Sequence, residues 1–330
     1  MSGVLTSELI KGRARELGFD LCGVAPAASF PELGFLPEWL SRGYAGEMVY
    51  MEKSADRRAD IRNFLPSAKS VIVTGTIYNT ETQPGIGHPA PGTARVARYA
   101  RGQDYHVVLY ERLEQLVGWM REQHGGDFEA SIFCDKHHVQ ERVYALHAGL
   151  GWIGKNSMLI NRERGSYFFL AGIATSIDLE PDVPGTDQCG SCTLCIDACP
   201  TGAIVDDHVV DATRCISYLT IETPEAIPED RRGWIGSHVW GCDICQDVCP
   251  WNLAPAVSDD DAWRGPRRDG RSAADMWQRT DDELHEIIKG SAMTFVPLSR
   301  LRRNLATVIG NSGDREAVDV LDRLRARFCA

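Results

Sequence analysis

The chain has 330 residues and a mass of 36.5 kDa, more than a single hydrophobic core usually supports, so we expect two or three domains. Apolar residues make up 43% and charged residues 25%, an ordinary globular composition that excludes a wholly disordered or collagen-like chain. The net charge of −11 disfavours a protein that coats nucleic acid non-specifically, although it is compatible with a local basic patch.

The N-terminal half predicts a layered domain of helices and strands. In chain order we expect a helix over 4–17, a buried strand over Ser70–Tyr78 and a loop over 80–93. A strand over Tyr167–Ile177 follows at the end of this half. Between them, an amphipathic helix is predicted because five apolar residues recur at helical spacing: Leu109, Leu113, Leu116, Val117 and Met120.

The N-terminal segment and the hydropathy pattern bear on location. The first 17 residues carry charges within their only apolar run, which is untypical of a secretion signal. No stretch of 18 apolar residues follows, so we expect no membrane span. Both features predict a cytoplasmic protein, in which thiols stay reduced.

Eight of the eleven cysteines fall between Cys189 and Cys249. The first group has the pattern C-x2-C-x2-C-x3-C-P, the second repeats it with one cysteine fewer, and Cys215 supplies the missing one. This double pattern is typical of two 4Fe–4S clusters, with the fourth cysteine of a run binding the other cluster. We predict two ligand sets: Cys189, Cys192, Cys195 and Cys249, and Cys199, Cys215, Cys242 and Cys245.

The same cysteines allow other interpretations. C-x2-C pairs also bind zinc, so two zinc sites are the main alternative. Disulfides are disfavoured by the expected cytoplasmic location. Cys22, Cys134 and Cys329 stand apart, and we assign them no role because free cysteines are usually small buried side chains.

A candidate acid lies in the N-terminal half. Asp135 ends the predicted strand SIFCD and precedes a helix with Glu141 and Arg142, and a glycine-rich stretch follows over Gly149–Ile160. An aspartate facing such a loop is placed to act as an acid, with a helix N-cap as the alternative. The glycines indicate a close backbone approach, with tight turns as the alternative. The neighbours His137 and His138 point apart, which disfavours a shared metal site.

The segment after about residue 290 predicts two apolar-faced helices around an Asn-Ser-Gly-Asp turn. Residues 291–330 hold seven arginines against four acids, so this segment is locally basic. A solvated helix face and a nucleic-acid contact, with Arg302 and Arg303 as its candidate residues, are both compatible with that pattern.

Several motifs in fixed order resemble one family. GLGWIGKN, CGSCTLCIDACPTGAI, RCISYLTIE and GCDICQDVCPWN are similar to epoxyqueuosine reductase, as are RRADIRNFLPSAKSVI and RYARGQDYH. The resemblance implies a cobalamin-dependent, double 4Fe–4S enzyme that reduces epoxyqueuosine to queuosine at the wobble position of tRNA, the last step of queuosine synthesis. It also implies an external low-potential electron donor, no membrane partner and, we expect, a monomer.

The resemblance also implies site residues. The proton donor falls on Asp135, whose pKa we expect burial against the corrin to raise. Cobalamin contacts fall on Arg58, Arg98, Asp135, Lys155, Asn156, Ser157, Met158, Ser217 and Gly241. One departure stands beside the acid, where Lys136, His137 and His138 replace the small residues and proline that the family usually carries.

The fold class expected is α+β with three parts. Residues 1–180 form an N-terminal α/β cobalamin-binding and catalytic domain, residues 181–256 a ferredoxin-like domain with two 4Fe–4S clusters, and residues 257–330 a short HEAT-like helical repeat that contacts tRNA. Two alternatives remain at this point. One is a related corrinoid reductase acting on a small molecule, like a reductive dehalogenase; the other is an electron-transfer module without a substrate site.

Overall fold

The computed structural model describes residues 5–81, 90–265, 268–314 and 318. Most of the predicted loop 80–93, the second predicted C-terminal helix and Cys329 lie outside the described residues. The strands are β1 Leu21–Pro26, β2 Ser70–Ile77, β3 Thr93–Val96, β4 Ala130–Phe133, β5 Trp152–Ile153, β6 Leu159–Ile160, β7 Phe168–Thr175, β8 Ile204–Asp206, β9 Val209–Val210, β10 His238–Trp240 and β11 Arg271–Ser272.

Thirteen α-helices occur in the described residues, and several short 3-10 turns lie between them. The helices are α1 Ser7–Glu16, α2 Leu36–Ser41, α3 Val49–Lys53, α4 Ala55–Arg58, α5 Tyr105–His124, α6 Glu141–His147, α7 Leu194–Ala198, α8 Ile216–Ile221, α9 Glu229–Arg232, α10 Ile244–Asp247, α11 Ala273–Gln278, α12 Asp281–Ile288 and α13 Leu298–Asn311. No helix within the described ranges is long and apolar enough to cross a membrane.

A four-stranded sheet with the order β1-β2-β7-β4 organises the N-terminal half. All three strand pairs are antiparallel, so the predicted α/β character of this half is wrong and the domain is α+β. The mixed α+β class itself agrees with the structure. The sequence did not indicate the relative direction of the strands, because long connections between strands allow parallel or antiparallel pairing.

Successive side chains of the inner strand β2 point to opposite faces of this sheet, and each face packs into an apolar core. All eight residues of β2 are buried, as expected of a strand covered on both sides. Ile72 packs on the side of α1 and α5, whereas Val71 and Val73 pack on the side of α6. The five apolar residues predicted for one face of α5 are all buried there, which confirms that helix.

A second core joins distant parts of the chain. Strands β10, β3 and β11 form a sheet to which each of the three predicted domains contributes one strand. Helices α8, α11, α12 and α13 pack against it through residues such as Leu219, Met276 and Leu305. The residue ranges proposed for three domains remain a prediction, because this core is shared between them.

Helix α13 corresponds to the first predicted C-terminal helix, but its arginines face inward. The Arg302 side chain is 11% exposed, pairs with Asp281 at 2.6 Å and donates to two backbone carbonyls. Arg303 donates to the carbonyl oxygens of Leu219 and Thr223 at 2.8 and 2.6 Å. The guanidinium groups of Arg302 and Arg303 therefore hold α13 against its neighbours, and the expected tRNA contact through them stays a prediction.

Residues 188–252, called here the cluster segment, have little regular structure. Its helices α7, α8, α9 and α10 have four to six residues each, and α7 buries none of its side chains. The only sheet within it is the short antiparallel pair of β8 and β9, while β10 joins the shared sheet. This segment lies against the N-terminal sheet domain and brings its cysteines to one side of it.

Candidate active site

The eight clustered cysteines divide into two neighbourhoods. Burial raises the pKa of Cys249 to about 11, and the nearby thiols of Cys189, Cys195 and Cys192 add to that rise. Burial likewise raises the pKa of Cys245, with Cys215 as its strongest thiol neighbour. Cys242 is influenced by Cys245 and Cys215, and Cys215 by Cys199, in agreement with this division. The two neighbourhoods adjoin, because Cys195 of the first also raises the pKa of Cys245 in the second.

Backbone N–H groups point at several of these sulfurs. Cys199 Sγ accepts from the amide of Ala203 at 3.3 Å and lies 3.4 Å from the Thr201 hydroxyl. Burial acts to raise the pKa of Cys199, but these hydrogen bonds lower it overall. Amides of the following residues also donate to Cys215, Cys242 and Cys249. Such donors stabilise thiolate sulfur, the form that binds iron.

The arrangement of the thiols fits clusters better than single ions. Within the described part of the chain, no three His, Cys, Asp or Glu side chains converge on the position of one metal ion. A 4Fe–4S cluster instead takes each cysteine sulfur at a separate iron, so its ligands surround a larger volume. The two thiol neighbourhoods and their amide donors fit that requirement.

Asp135 lies in the loop after β4, with a φ of +48° that is uncommon outside glycine. Its Oδ2 accepts a hydrogen bond from the Tyr105 hydroxyl at 2.7 Å and lies 3.5 Å from Nε2 of His106. The side chain is 62% exposed. It does not cap a helix, because α6 begins at Glu141 and its N-cap is Gln140; the N-cap alternative is therefore wrong.

Asp135 and Glu141 form a coupled carboxyl pair. The Asp135 amide donates to the Glu141 carboxylate, and burial together with the charge of Asp135 raises the pKa of Glu141. Burial also acts to raise the pKa of Asp135, but the His106 imidazole at 3.5 Å and the hydrogen bond from Tyr105 hold it below its usual value. The pKa of Asp135 is therefore lowered in the free protein, whereas we expected burial against the corrin to raise it.

Ser217 and Gly241, both predicted to contact cobalamin, lie close together beside the second group of cysteines. Gly241 has a φ of +64°, and a Cβ there would lie 2.7 Å from Ala97 Cβ and 3.7 Å from Ser217 Oγ. Only glycine therefore permits this close approach. Tyr99 borders the same position and connects it to Asp135, since its ring lies 6.3 Å from the Tyr105 ring.

The loop from Lys155 to Met158 connects α6 with the second group of cysteines. Asn156 donates to the backbone oxygen of Cys245 at 3.2 Å, and Arg142 donates to that of Ser157 at 2.9 Å. Ser157 has a φ of +62°, and Met158 donates its amide to Asn156. The Lys155 ammonium pairs with Asp207 at 3.1 Å. The loop thus lies between α6 and the second group of cysteines.

Arg58 and Arg98 differ sharply in their surroundings. Arg58 donates to Ser54 Oγ at 2.9 Å; burial lowers its pKa, and the nearby charges of Glu141 and Asp135 oppose that shift. Arg98 has a side chain only 3% exposed, donates to Asn79 at 2.6 Å and lies 3.4 Å from Asp247.

The network around Arg98 also includes its backbone amide. That amide donates to Asp243 at 2.7 Å, and the guanidinium lies over the Tyr167 ring at 4.8 Å. Arg98 therefore ties the sheet domain to the cluster segment. Its guanidinium is enclosed by protein in the free chain, and the expected cobalamin contact of this residue stays a prediction.

Glycines of the glycine-rich stretch pack closely against backbone that is more distant in the chain. A Cβ on Gly149 would lie 2.7 Å from the Val183 carbonyl oxygen, and one on Gly151 would lie 2.0 Å from that of Ile160. Both glycines approach backbone elsewhere in the protein, which agrees with the predicted close backbone approach. Sequence reasoning missed four residues around Asp135, namely Tyr105, His106, Tyr50 and Glu222. Tyr50 donates a hydrogen bond of 3.3 Å to Glu222.

Comparison with known proteins bears directly on this site. A model of the family described as epoxyqueuosine reductase QueG, DUF1730, matches residues 58–136, and one of the 4Fe–4S double cluster binding domain matches residues 188–252. The epoxyqueuosine reductase of Gloeobacter violaceus is 43% identical over 326 residues, covering 94% of this chain and 97% of that protein. This chain belongs to the epoxyqueuosine reductase family. The predicted resemblance is confirmed.

Further members of the family agree. The epoxyqueuosine reductase of Cyclobacterium marinum is 39% identical over 302 residues, 91% of this chain and 95% of that protein. A crystal structure of epoxyqueuosine reductase with a tRNA-Tyr epoxyqueuosine-modified stem loop has a TM-score of 0.87 and 30% identity, covering 96% of this chain and 84% of that one. A Bacillus subtilis structure with its catalytic aspartate loop swung out of the active site is equally similar.

Family membership decides among the earlier alternatives. All eight clustered cysteines fall inside the match to the double-cluster domain, which confirms two 4Fe–4S clusters over zinc. The chain is an oxidoreductase of the epoxyqueuosine reductase family rather than a bare electron carrier. The individual ligand and cofactor residues remain predictions.

Proposed function

We propose that this chain reduces epoxyqueuosine to queuosine at the wobble position of tRNA, the last step of queuosine synthesis, in the cytoplasm. The observation that carries the proposal is Asp135, on a loop between the sheet domain and a double-cluster segment, in a fold shared with a tRNA-bound epoxyqueuosine reductase. The partners are tRNA and an external low-potential electron donor, and the working form is a monomer with domains over 1–180, 181–256 and 257–330.

The reaction defines what the site must supply. An epoxide becomes an alkene when both carbon–oxygen bonds break, two electrons and two protons enter, and water leaves. Two 4Fe–4S clusters would supply the electrons. One would be held by Cys189, Cys192, Cys195 and Cys249, and the other by Cys199, Cys215, Cys242 and Cys245.

Cobalamin, which the family resemblance implies, supplies the low-potential cobalt centre that reacts with the substrate. The residues placed to hold it are Ser217 and Gly241 on the cluster side and Asn156, Ser157 and Met158 on the loop. Gly241 precedes Cys242 in the chain and permits a close approach to Ala97 and Ser217. Arg58 and Asp135 border the same space from the sheet domain.

Asp135 is the proton donor to the departing oxygen. Its carboxyl is 62% exposed and can meet a substrate, and its loop is anchored by the hydrogen bond to Glu141. Covering this carboxyl with cofactor and substrate removes water and favours the protonated form. The pKa of Asp135 is therefore expected to rise from its low value in the free protein when the site is filled.

Recognition of tRNA by a protein of net charge −11 requires local contacts. Arg58, Lys136 and Arg142 surround the acidic pair, so cations are concentrated at the site itself. A single nucleotide turned out of the anticodon loop fits such a site, and its phosphates pair with these cations. The remaining acidic surface suppresses non-specific binding.

The test uses anaerobically prepared protein with both clusters and cobalamin. Incubation with a strong reductant and epoxyqueuosine-containing tRNA is expected to yield queuosine, measured by mass spectrometry of the digested tRNA. Asp135→Asn is expected to lower the rate by about 10² to 10⁴-fold while iron and corrin content stay constant. The exposed Asp127→Asn is the matched control and should leave the rate unchanged.

Absence of queuosine from the wild-type reaction would overturn the proposed function. Turnover of a halogenated small molecule in its place would assign the chain to small-molecule reduction. If Asp135→Asn reacts at the wild-type rate, Asp135 is not the proton donor.

A further inference from the structure

A row of three side chains leads from the interior to Asp135. His106 Nδ1 lies 2.8 Å from Asp104 Oδ1, and the same oxygen accepts the backbone amide of His106 at 3.0 Å. On the other side of the ring, Nε2 lies 3.5 Å from Asp135 Oδ2. The imidazole thus lies between two carboxyl groups, one half-buried at the N-cap of α5 and one in the site.

Hydrogen bonding to Asp104 fixes the protonation pattern of the ring. A carboxylate is only an acceptor, so Nδ1 carries a proton and donates it to Asp104. In the neutral ring Nε2 is then an acceptor that faces another acceptor, the Asp135 carboxylate. The contact becomes favourable only when one additional proton lies between Nε2 and Oδ2.

The His106 ring is well enclosed, so a proton between Nε2 and Oδ2 is separated from bulk water on the side of the ring. The His106 side chain is 6% exposed, and its buried Nε2 makes no hydrogen bond at normal distance. Tyr105 stacks on the ring with centroids 4.0 Å apart, and Phe295 contacts it at 4.8 Å. The titratable and charged groups that face the ring or its two carboxyl partners are Asp104, Tyr105, Asp135, Lys136, His137, Glu141 and Arg142.

The charge balance favours a protonated imidazole. Burial alone would lower the pKa of His106, but hydrogen bonds and charge from Asp104 and Asp135 outweigh it and raise the pKa overall. The geometry is independent of that shift, since Asp104 anchors the ring and Asp135 receives its free nitrogen. The long 3.5 Å separation is of the kind that shortens when a substrate closes the site.

We propose that His106, oriented by Asp104, shares one transferable proton with Asp135 and reloads that acid from the buried side. The proposal rests on the proposed function. In the epoxide reduction two electrons come from the external donor through the clusters. One of the two protons that leave with oxygen as water is the shared one, which passes from His106 to Asp135 and on to the departing oxygen. The second proton comes from solvent when the site reopens.

The position of His106 explains why such a residue is useful. The exposed face of Asp135 is the one that a bound substrate covers, so solvent loses direct access to the carboxyl during turnover. His106 approaches the same oxygen from the protein side and stays in contact while the substrate is bound. His106 is thus a positioning and proton-supplying residue that acts through Asp135.

The experiment follows the pH dependence of a single turnover. Reduced holoenzyme is mixed with a limiting amount of epoxyqueuosine tRNA, and queuosine formation is timed between pH 6 and pH 9. In the wild type, the rate is expected to fall as pH rises through the pKa of the shared proton, because the acid form is required. His106→Gln keeps a polar side chain of similar reach but cannot carry the proton.

We expect His106→Gln to move this alkaline limb to lower pH and to reduce the rate at pH 8 by about 10 to 100-fold. Asp104→Asn should move the limb in the same direction by a smaller amount, because the imidazolium loses one supporting carboxylate. The matched control is His147→Gln, which removes another histidine–carboxylate pair, His147 with Glu32 at 3.2 Å. Iron and corrin content verify that each variant is folded.

The outcomes separate the two proposals. A wild type that makes no queuosine overturns the proposed function. A wild type that turns over, with the alkaline limb at the same pH in both His106→Gln and Asp104→Asn, overturns the shared proton even if the rates are reduced. If His106→Gln does not fold, the Asp104→Asn profile alone decides.

Discussion

The sheet domain and the cluster segment of this chain are stabilised in different ways. Strand β2 is buried along all its length between helices on both sides, whereas α7 in the cluster segment buries no side chain and most clustered cysteines are half-buried. The first region contains its own apolar core. The second depends on metal, because binding of a structural metal centre supplies folding free energy that short helices do not.

This contrast also explains where the active site lies. Asp135 and His106 extend from the rigid sheet domain, while Ser217 and Gly241 extend from the segment that the clusters organise. Arg98 ties the two together through Asn79 on one side and Asp243 on the other. Loss of the clusters therefore disturbs one wall of the site and leaves the acid on the other wall in place.

The largest expected effect comes from a lost cluster ligand. Cys245→Ser should halve the iron content, because one of the two 4Fe–4S clusters is lost, and should abolish turnover. Hydrogen exchange is expected to accelerate within 188–252 while β2 and β7 stay protected. The matched variant is Cys134→Ser, a buried cysteine of the sheet domain that should keep its full iron content. Equal loss of protection in both regions would refute the contrast.

A smaller effect is expected from a cavity in the sheet domain. Ile72 is fully buried in β2, and Ile72→Ala should lower the free energy of unfolding by about 2–5 kcal/mol. Iron per folded chain should stay at the wild-type value, because no cysteine ligand is near this core in sequence. Denaturant unfolding followed by circular dichroism measures the change. Val107→Ala, at a position 64% exposed, should have little effect.

The smallest predicted effect concerns the C-terminal helix. Arg303→Ala removes hydrogen bonds to the carbonyl oxygens of Leu219 and Thr223, so we expect a loss of about 1–3 kcal/mol in stability. Because the Arg303 guanidinium faces the protein, tRNA affinity and its salt dependence should match those of the wild type. A weaker affinity with a shallower salt slope would instead support the tRNA contact of Arg303 that the sequence predicts.

Local patterns in the sequence predicted the elements well. The apolar spacing of α5, the β-branched run of β2 and the strand from Tyr167 are all present, because each depends on neighbours within one element. The cysteine spacing predicted the double cluster for the same reason. These features need no knowledge of how distant segments meet.

Features that depend on tertiary packing were less accessible. Antiparallel pairing in the main sheet and the inward direction of Arg302 and Arg303 follow from contacts with residues 20 or more positions away. Asp135 was found because it ends a strand, but Tyr105 and His106, on another element, gave no signal. The Asp104-His106 spacing looked like an ordinary helix start, which it also is.

The account is tested most directly by measuring iron, corrin and queuosine together in one anaerobic preparation. We predict two 4Fe–4S clusters per chain, bound cobalamin, and conversion of epoxyqueuosine in tRNA that rises in proportion to the fraction of chains with both clusters. Conversion that persists after the iron has been removed, or zinc in the place of iron, would contradict the account.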